Sequence, residues 1–379
     1  MLDDARQHDL VRRLWLDGPL SRTELHQRLN MTPNGVGAIA EVLLQKGIVR
    51  ECPPVPSRGG RPRVPLDIDP AARHVVGLSL APGHVDVGRF GLRGQLLGSP
   101  TREVVERPEN IVNAACKLLR DSMNGQTLAI GISVPGFVDS QSHEILFSSA
   151  TPGLGRRSLK PLYEQAAGTP VVLENDMHAA AARWMLTHRS SEDQDILLVG
   201  FDDGELGATM LVGGRANRGC VNSANELGHT RFVVPTERCY CGHTGCLERI
   251  CSSDFLNRQP GAVPDMRLAE RVRRFDGADS ALQEMVRYLS MGIANATNFV
   301  RPHQLVLASH LTRFPAFTEL LMRTIRGLLL VELADRVRIS LWDQPVSSSA
   351  ETAAWLALAG LYSSSWSSSS NHVRKYAQR

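Results

Sequence analysis

Two stretches near the middle of the chain, NELGHTRF (225–232) and CYCGHTGCLE (239–248), decide what body this sequence builds. Cys239, Cys241 and Cys246 place three thiols within eight positions, in a chain that holds only seven cysteines. Three thiolates lack one ligand for a tetrahedral zinc site. His229 lies ten residues upstream of Cys239, and His243 lies inside the loop. His243 sits in a tight, Gly-flanked turn from which the same metal is hard to reach, so His229 is the better fourth ligand. A Cys3His set is closed, with no open position for water, so zinc here is structural. A redox centre would call for Cys-x-x-Cys at the start of a βαβ unit, and that pattern is absent.

The bulk composition frames this site. At roughly 150 residues per domain, 379 residues predict two or three domains. A hydrophobic content of 42% and a charged content of 21% are those of an ordinary globular chain. The formal net charge is only +3, so any nucleic-acid surface must be local. No run of about 18 apolar residues offers a membrane span. The opening MLDDARQHDL is acidic and polar, unlike a secretory signal. Clustered cysteines in odd number suit a reducing cytoplasm rather than a disulfide framework.

The first fifty residues have a different character. Leu10, Val11, Leu14 and Trp15 recur at helical spacing until Gly18-Pro19. Ser21 with Glu24 forms a capping-box pattern for a second helix. Thr32 and Pro33 open a third, lined by Val36, Ile39 and Leu43, and Gly47 closes it before a strand at Ile48-Val49-Arg50. Helix, helix, turn, helix, strand is the winged helix-turn-helix order, and the helix after the turn is the one that enters the major groove. Its outward residues are Asn34, Gly35, Gly37, Ala38 and Glu41, with no Lys or Arg. Asn34 suits adenine, and Thr32 suits a phosphate or a thymine methyl. The following CPPVPSRGGRPRVP (52–65) reads as an extended linker. Within it Arg58 and Arg61 resemble minor-groove arms, whereas Arg63 reads as solvated.

From residue 74 onward, strand-like runs come first in hairpin succession and then alternate with helical stretches at 109–123, 158–167, 177–189 and 281–300. That pattern predicts α/β architecture with mixed sheets. Two strand-rich blocks, from about 74 and about 195, predict two lobes with a cleft between them. The Ser-rich tail is of low complexity and reads as disordered. The expected division is residues 1–52 as the DNA-binding domain, 53–73 as linker and wing, 74–362 as the body, and 363–379 as the tail.

NELGHTRF followed by CYCGHTGCLE resembles the signature of the ROK family of repressors and sugar kinases. The N-terminal helix-turn-helix, the GGRP stretch, VPGFVD and ENDMHAAA fall in that family's order. The resemblance implies a two-lobed actin-like sugar-kinase fold and assigns the zinc to His229, Cys239, Cys241 and Cys246. It also implies a polyol-binding set of Gly136, Asn175, Asp176, Glu226, His229 and Glu248, with Asp176 the base in a kinase. Two positions depart from the family's sugar pocket: Ala150 stands where asparagine is frequent, and Leu154 where tryptophan is.

The nucleotide elements implied by the same resemblance are damaged together. The D-x-G-G-T-like loop reads Ser79-Leu80-Ala81-Pro82-Gly83, without its acid and with a proline that offers no amide donor. The second phosphate loop reads FDDGELGA, placing Asp202 and Asp203 where phosphate would sit, and the adenosine glycine pair reads Ala308-Ser309. The expectation is a homodimeric or homotetrameric regulator, a repressor of carbohydrate-metabolism genes in a bacterial cytoplasm. It would bind operator DNA and a sugar or sugar derivative and have no kinase activity. A sugar kinase and a repressor switched by a protein partner are the other readings.

Overall fold

The computed structural model describes residues 4–56, 62–139, 142–148, 154–188, 194–219, 224–260, 262–263, 265–344, 349–363 and 366. Contacts divide the chain into two units, Met1–Arg189 with Ser348–Arg379, and Ser190–Ser347.

The first unit begins with the head. Helix α1 (Ala5–Asp17) is capped by the Asp4 side chain and buries Leu10, Val11 and Leu14. A two-residue strand, β1 (Leu20–Ser21), leads into α2 (Arg22–Leu29), where the Ser21–Glu24 capping box forms in full. Helix α3 (Pro33–Gln45) starts on the Thr32 cap, with Val36, Ile39, Ala40 and Leu43 on its buried face. Strands β2 (Val49–Glu51) and β3 (Pro65–Ile68) then pair antiparallel, and β3 also pairs with β1. The Pro/Gly/Arg stretch is therefore partly a wing. The ladder continues through Cys52 N–H to Pro65 O (2.8 Å) and through both bonds of the Val55–Arg63 pair (2.8 and 3.1 Å). Arg58 and Arg61 lie outside the described residues.

The body of the same unit follows in chain order. It comprises β4 (His74–Ala81), β5 (His84–Gly91), β6 (Thr101–Val104), α4 (Ile111–Ser122), β7 (Thr127–Val134), β8 (Phe137–Asp139), β9 (Glu144–Phe147), β10 (Arg157–Ser158), α5 (Lys160–Gln165), β11 (Val171–Asn175) and α6 (Asp176–Thr187). The second unit comprises β12 (Ile196–Asp202), β13 (Glu205–Val212), β14 (Arg215–Ala216), α7 (Leu247–Ile250), α8 (Ser253–Asn257), α9 (Leu268–Arg273), α10 (Ser280–Val300), β15 (Gln304–Ala308), α11 (Pro315–Leu328), α12 (Val331–Ala334) and β16 (Arg338–Trp342). The chain then returns to the first unit as α13 (Ala350–Tyr362).

Each unit holds one five-stranded sheet, and the two have the same topology. The first runs β11-β7-β4-β5-β6 and the second β16-β15-β12-β13-β14. In both, the first-formed strand is central, two later strands add parallel on one side, and a hairpin and third strand add antiparallel on the other. This duplicated mixed sheet is the architecture of actin-like sugar kinases, here carrying a winged helix-turn-helix at its N-terminus.

Helix α13 is buried at every residue but Glu351. It lies so close to the first sheet that a Cβ on Gly131 would stand 1.8 Å from Ala353 O, and one on Gly77 would stand 1.9 Å from Ala350 O. Leu154 is fully buried in the apolar core of the first unit with Ile132, Val134 and Leu159, so it serves packing. Ala150 is outside the described residues. Of the Ser-rich tail, Trp366 is described and is buried. No helix among the described residues is long and apolar enough to cross a membrane.

The sheet–helix contact gives a direct test. Gly131→Val should destabilise the protein by about 3 kcal/mol or more, because neither backbone can yield a bond's length. Gly327→Ala, where the added methyl meets open space, should leave the melting temperature unchanged or slightly higher.

Candidate functional sites

The metal cluster is in the second unit. A 3-10 turn, Leu227–His229, presents the imidazole, and a knuckle from 239 to 246 presents the thiols. Backbone bonds zip the two segments together: Phe232 N–H to Gly245 O (2.8 Å) and Leu247 N–H to Thr230 O (2.9 Å). Gly245 must be glycine, since its φ is 79° and a Cβ would stand 2.2 Å from Phe232 O. The result brings His229, Cys239, Cys241 and Cys246 together with their ligand atoms within 4.8 Å of one another. Cys241 Sγ lies 3.5 Å from Cys246 Sγ, and Cys239 Sγ lies 3.8 Å from His229 Nδ1. Four ligands at tetrahedral zinc distances, about 2.3 Å for sulfur, stand roughly 3.5–3.8 Å apart. His243 Nδ1 also comes within 3.7 Å of Cys241 Sγ, but on an exposed ring outside the four-residue cluster.

The electrostatics suit a metal. Burial lowers the His229 pKa, and Arg249 and His243 add to the effect, so the ring is neutral, as a ligand must be. Burial alone would raise the Cys241 thiol, but hydrogen bonds from the His243 amide and ring and from the neighbouring thiols outweigh it and lower it to about 7. Cys246 is pushed up to about 12 by burial and by Cys241. With Nδ1 of His229 directed at the thiols, Nε2 is 3.7 Å from the Glu226 carboxylate. Glu248 is buried, and one of its oxygens accepts the Tyr240 hydroxyl. Nothing in the sequence marks Tyr240, because the position between two cysteines carries no signal of its own.

In the first unit, the turn from β11 into α6 holds Asn175 and Asp176. Asn175 is buried and works at both ends of its amide: Oδ1 accepts Met177 N–H at 2.8 Å as the helix cap, and Nδ2 donates to Gly136 O at 2.9 Å. Gly136 has φ 107°, and a Cβ there would stand 2.2 Å from Phe147 O. Asp176 is partly exposed at the first helical position, where the helix dipole favours a carboxylate. Behind it, His178 Nδ1 meets Glu174 Oε2 at 3.0 Å, both fully or nearly fully buried, and pins strand to helix.

The head presents Asn34 exposed on α3, whereas Thr32 spends its hydroxyl oxygen on the Gly35 amide at 3.1 Å. A Cβ on Gly37 would meet nothing.

The stretches that the resemblance matches to phosphate loops make contacts of their own. Pro82-Gly83 is a two-residue hairpin turn between Ala81 and His84. Asp203 Oδ1 accepts Ser253 N–H at 2.6 Å, and its other oxygen accepts the Ser253 hydroxyl, whose own oxygen accepts Leu268 N–H at 2.6 Å. Ala308 and Ser309 are completely buried.

A family model for the ROK family matches residues 89–359. The chain belongs to the ROK family. A xylose repressor of Caldicellulosiruptor bescii is 23% identical to this ROK protein over 352 residues, covering 84% of this chain and 86% of the relative. Among solved structures, a ROK family transcriptional regulator, a homologue of E. coli Mlc, superposes with a TM-score of 0.77 at 20% identity, covering 94% and 97% of the two chains. A ROK glucokinase from Streptomyces griseus, solved with glucose and AMPPNP, gives 0.61 at 22% identity, covering 75% and 99%. The regulator matches through the head as well as the body, whereas the kinase leaves about a quarter of this chain uncovered.

Cys246→Ser should abolish stoichiometric zinc, read by elemental analysis, and lower the melting temperature. Zinc added to the chelator-stripped wild type should release protons and restore the melt, because bound thiolates must lose theirs.

Proposed function

We propose that this ROK protein is a sugar-responsive DNA-binding transcriptional regulator, a repressor of carbohydrate-metabolism genes in a bacterial cytoplasm, without kinase activity. The observation that carries the reading is one chain joining a winged helix-turn-helix to a ROK body in which Asp203, in the stretch matched to a phosphate loop, is bound to Ser253. Asp203 puts a carboxylate on the amide and hydroxyl beside the second phosphate loop, so a phosphate there meets both a filled cradle and a like charge. Relatives named as repressors, among them the xylose repressor, support the same reading.

The assignments follow. Zinc held by His229, Cys239, Cys241 and Cys246 is structural: it fixes His229, whose Nε2 faces Glu226. The candidate effector-binding residues are Gly136, Asn175 and Asp176 in the first unit and Glu226, His229 and Glu248 in the second, carboxylates and an amide of the kind that pair with adjacent hydroxyls. In the first unit Asn175 chiefly positions the turn, leaving Asp176 as the direct ligand. Thr32 at the cap of α3 and Asn34 on it, with Arg58 and Arg61 of the Pro/Gly/Arg stretch, contact operator DNA. The working form is a homodimer or homotetramer, since paired half-sites require paired heads.

The protein should bind a fragment from upstream of its own gene. Affinity should fall on the order of a thousandfold between about 50 and 200 mM salt for about six phosphate contacts. One member of a panel containing xylose and N-acetylglucosamine should release the fragment, and Asp176→Asn should weaken that sugar about 10- to 100-fold. Sugar-dependent ADP formation from ATP would overturn the loss of kinase activity. Tight DNA binding that no sugar alters would move the switch to a protein partner.

Gly37→Ala separates folding from recognition. The methyl has open space within the chain, so helix propensity should stabilise the head by up to about 1 kcal/mol. The same methyl, on the face that approaches the groove, should weaken binding to the fragment in a gel-shift titration.

A further inference from the structure

This inference rests on the regulator reading. We propose that the contact of Trp15 with α6 and α13, locked by Arg93, is a rigid joint that couples the DNA-binding head to the polyol end of α6. Every residue in it belongs to the first unit.

The indole of Trp15, in the last turn of α1, makes three contacts with the body. It stacks on Tyr362 with centroids 4.9 Å apart and meets Trp355 edge-on at 6.0 Å. Its Nε1–H donates to Leu186 O at 2.8 Å. Leu186 lies in the last turn of α6, the helix whose first residue is Asp176. One helix of 12 residues, about 18 Å long, therefore has the candidate sugar carboxylate at one end and the head's indole at the other.

Arg93 locks the same place from the turn after β5. Its guanidinium donates to Trp15 O (3.1 Å) and to Leu14 O (3.2 Å), the carbonyl that also accepts the capping Gly18 N–H, at the C-terminal end of α1. It also pairs with Asp67 on wing strand β3 and covers the Trp15 ring at 5.5 Å. A single side chain thus holds α1 and the wing together against the body. Further bonds exclude a swivel: His8 Nδ1 meets Leu361 O at 2.8 Å, and Arg73 links Lys46 O (3.1 Å), just past α3, to Gly125 O (2.9 Å). Helix α6 is itself tied to α13 by Arg183–Glu351 at 2.9 Å.

A head on a loose tether feels the body only through the tether. A head whose indole is bonded to the end of α6 and stacked on α13 shifts when α6 shifts. Coupling between two binding sites is reciprocal, so DNA bound at the head must be felt at the sugar end of α6.

The test uses DNA as the probe and needs no identified sugar. Hydrogen exchange is followed by mass spectrometry on peptides covering 171–188 in the full-length protein, free and saturated with the upstream fragment. In the wild type, DNA should slow exchange in these peptides several-fold. Trp15→Phe keeps the ring stack and removes the bond to Leu186 O; Arg93→Gln removes the lock. Either variant, at equal DNA saturation, should lose the effect at 171–188 while keeping protection within α3. DNA that binds the wild type and leaves 171–188 unchanged would overturn the inference alone, as would both variants transmitting the change undiminished. No binding to any fragment would overturn the regulator reading, and the joint with it.

Discussion

The first unit depends on the absence of two side chains. Gly77 on β4 and Gly131 on β7 let α13 rest with its backbone almost on the sheet. That approach buries a helix that is apolar nearly all round, and the burial needs no polar face because the sheet, α6 and α1 surround it. The same helix carries Trp355, Leu361 and Tyr362, the groups on which the head is seated. A bulkier residue in either strand would push α13 outward and take the head's seat with it.

A second constraint governs the other unit. The metal cluster is built from two segments that have no regular structure beyond a single turn, and their backbone bonds alone are few. Three thiols and an imidazole gathered within 4.8 Å could hold a metal, and thiolates that close repel one another unless a cation lies between them. A bound metal would brace the two segments and fix the His229 ring, whose Nε2 lies 3.7 Å from Glu226.

The three stretches that the family resemblance matches to nucleotide-binding elements are built into ordinary structure in this chain. Pro82-Gly83 is a hairpin turn, Asp203 is the partner of Ser253, and Ser309 is a buried cap on the Leu311 amide. The sheet topology rests on apolar strands, whereas a phosphate site would rest on a few glycines and amides at their ends, so the two can vary independently.

What is local in the chain was legible from residue types at short spacing: the capping box at Ser21–Glu24, the Thr32 cap, the wing strand after Gly47 and the four candidate metal ligands. Helix α13 was not legible, because a segment apolar on every side shows no 3.6-residue period. The wing within 53–73 was expected, but its pairing was not, because proline and glycine in 52–65 mask the Cys52–Pro65 and Val55–Arg63 bonds. The Trp15–Leu186 and Arg93–Asp67 contacts span 171 and 26 residues, and the backbone carbonyl that accepts from Trp15 leaves no trace in residue identity. Which helix the head rests on is decided only when distant strands close the sheet and expose the ends of α6 and α13 to it.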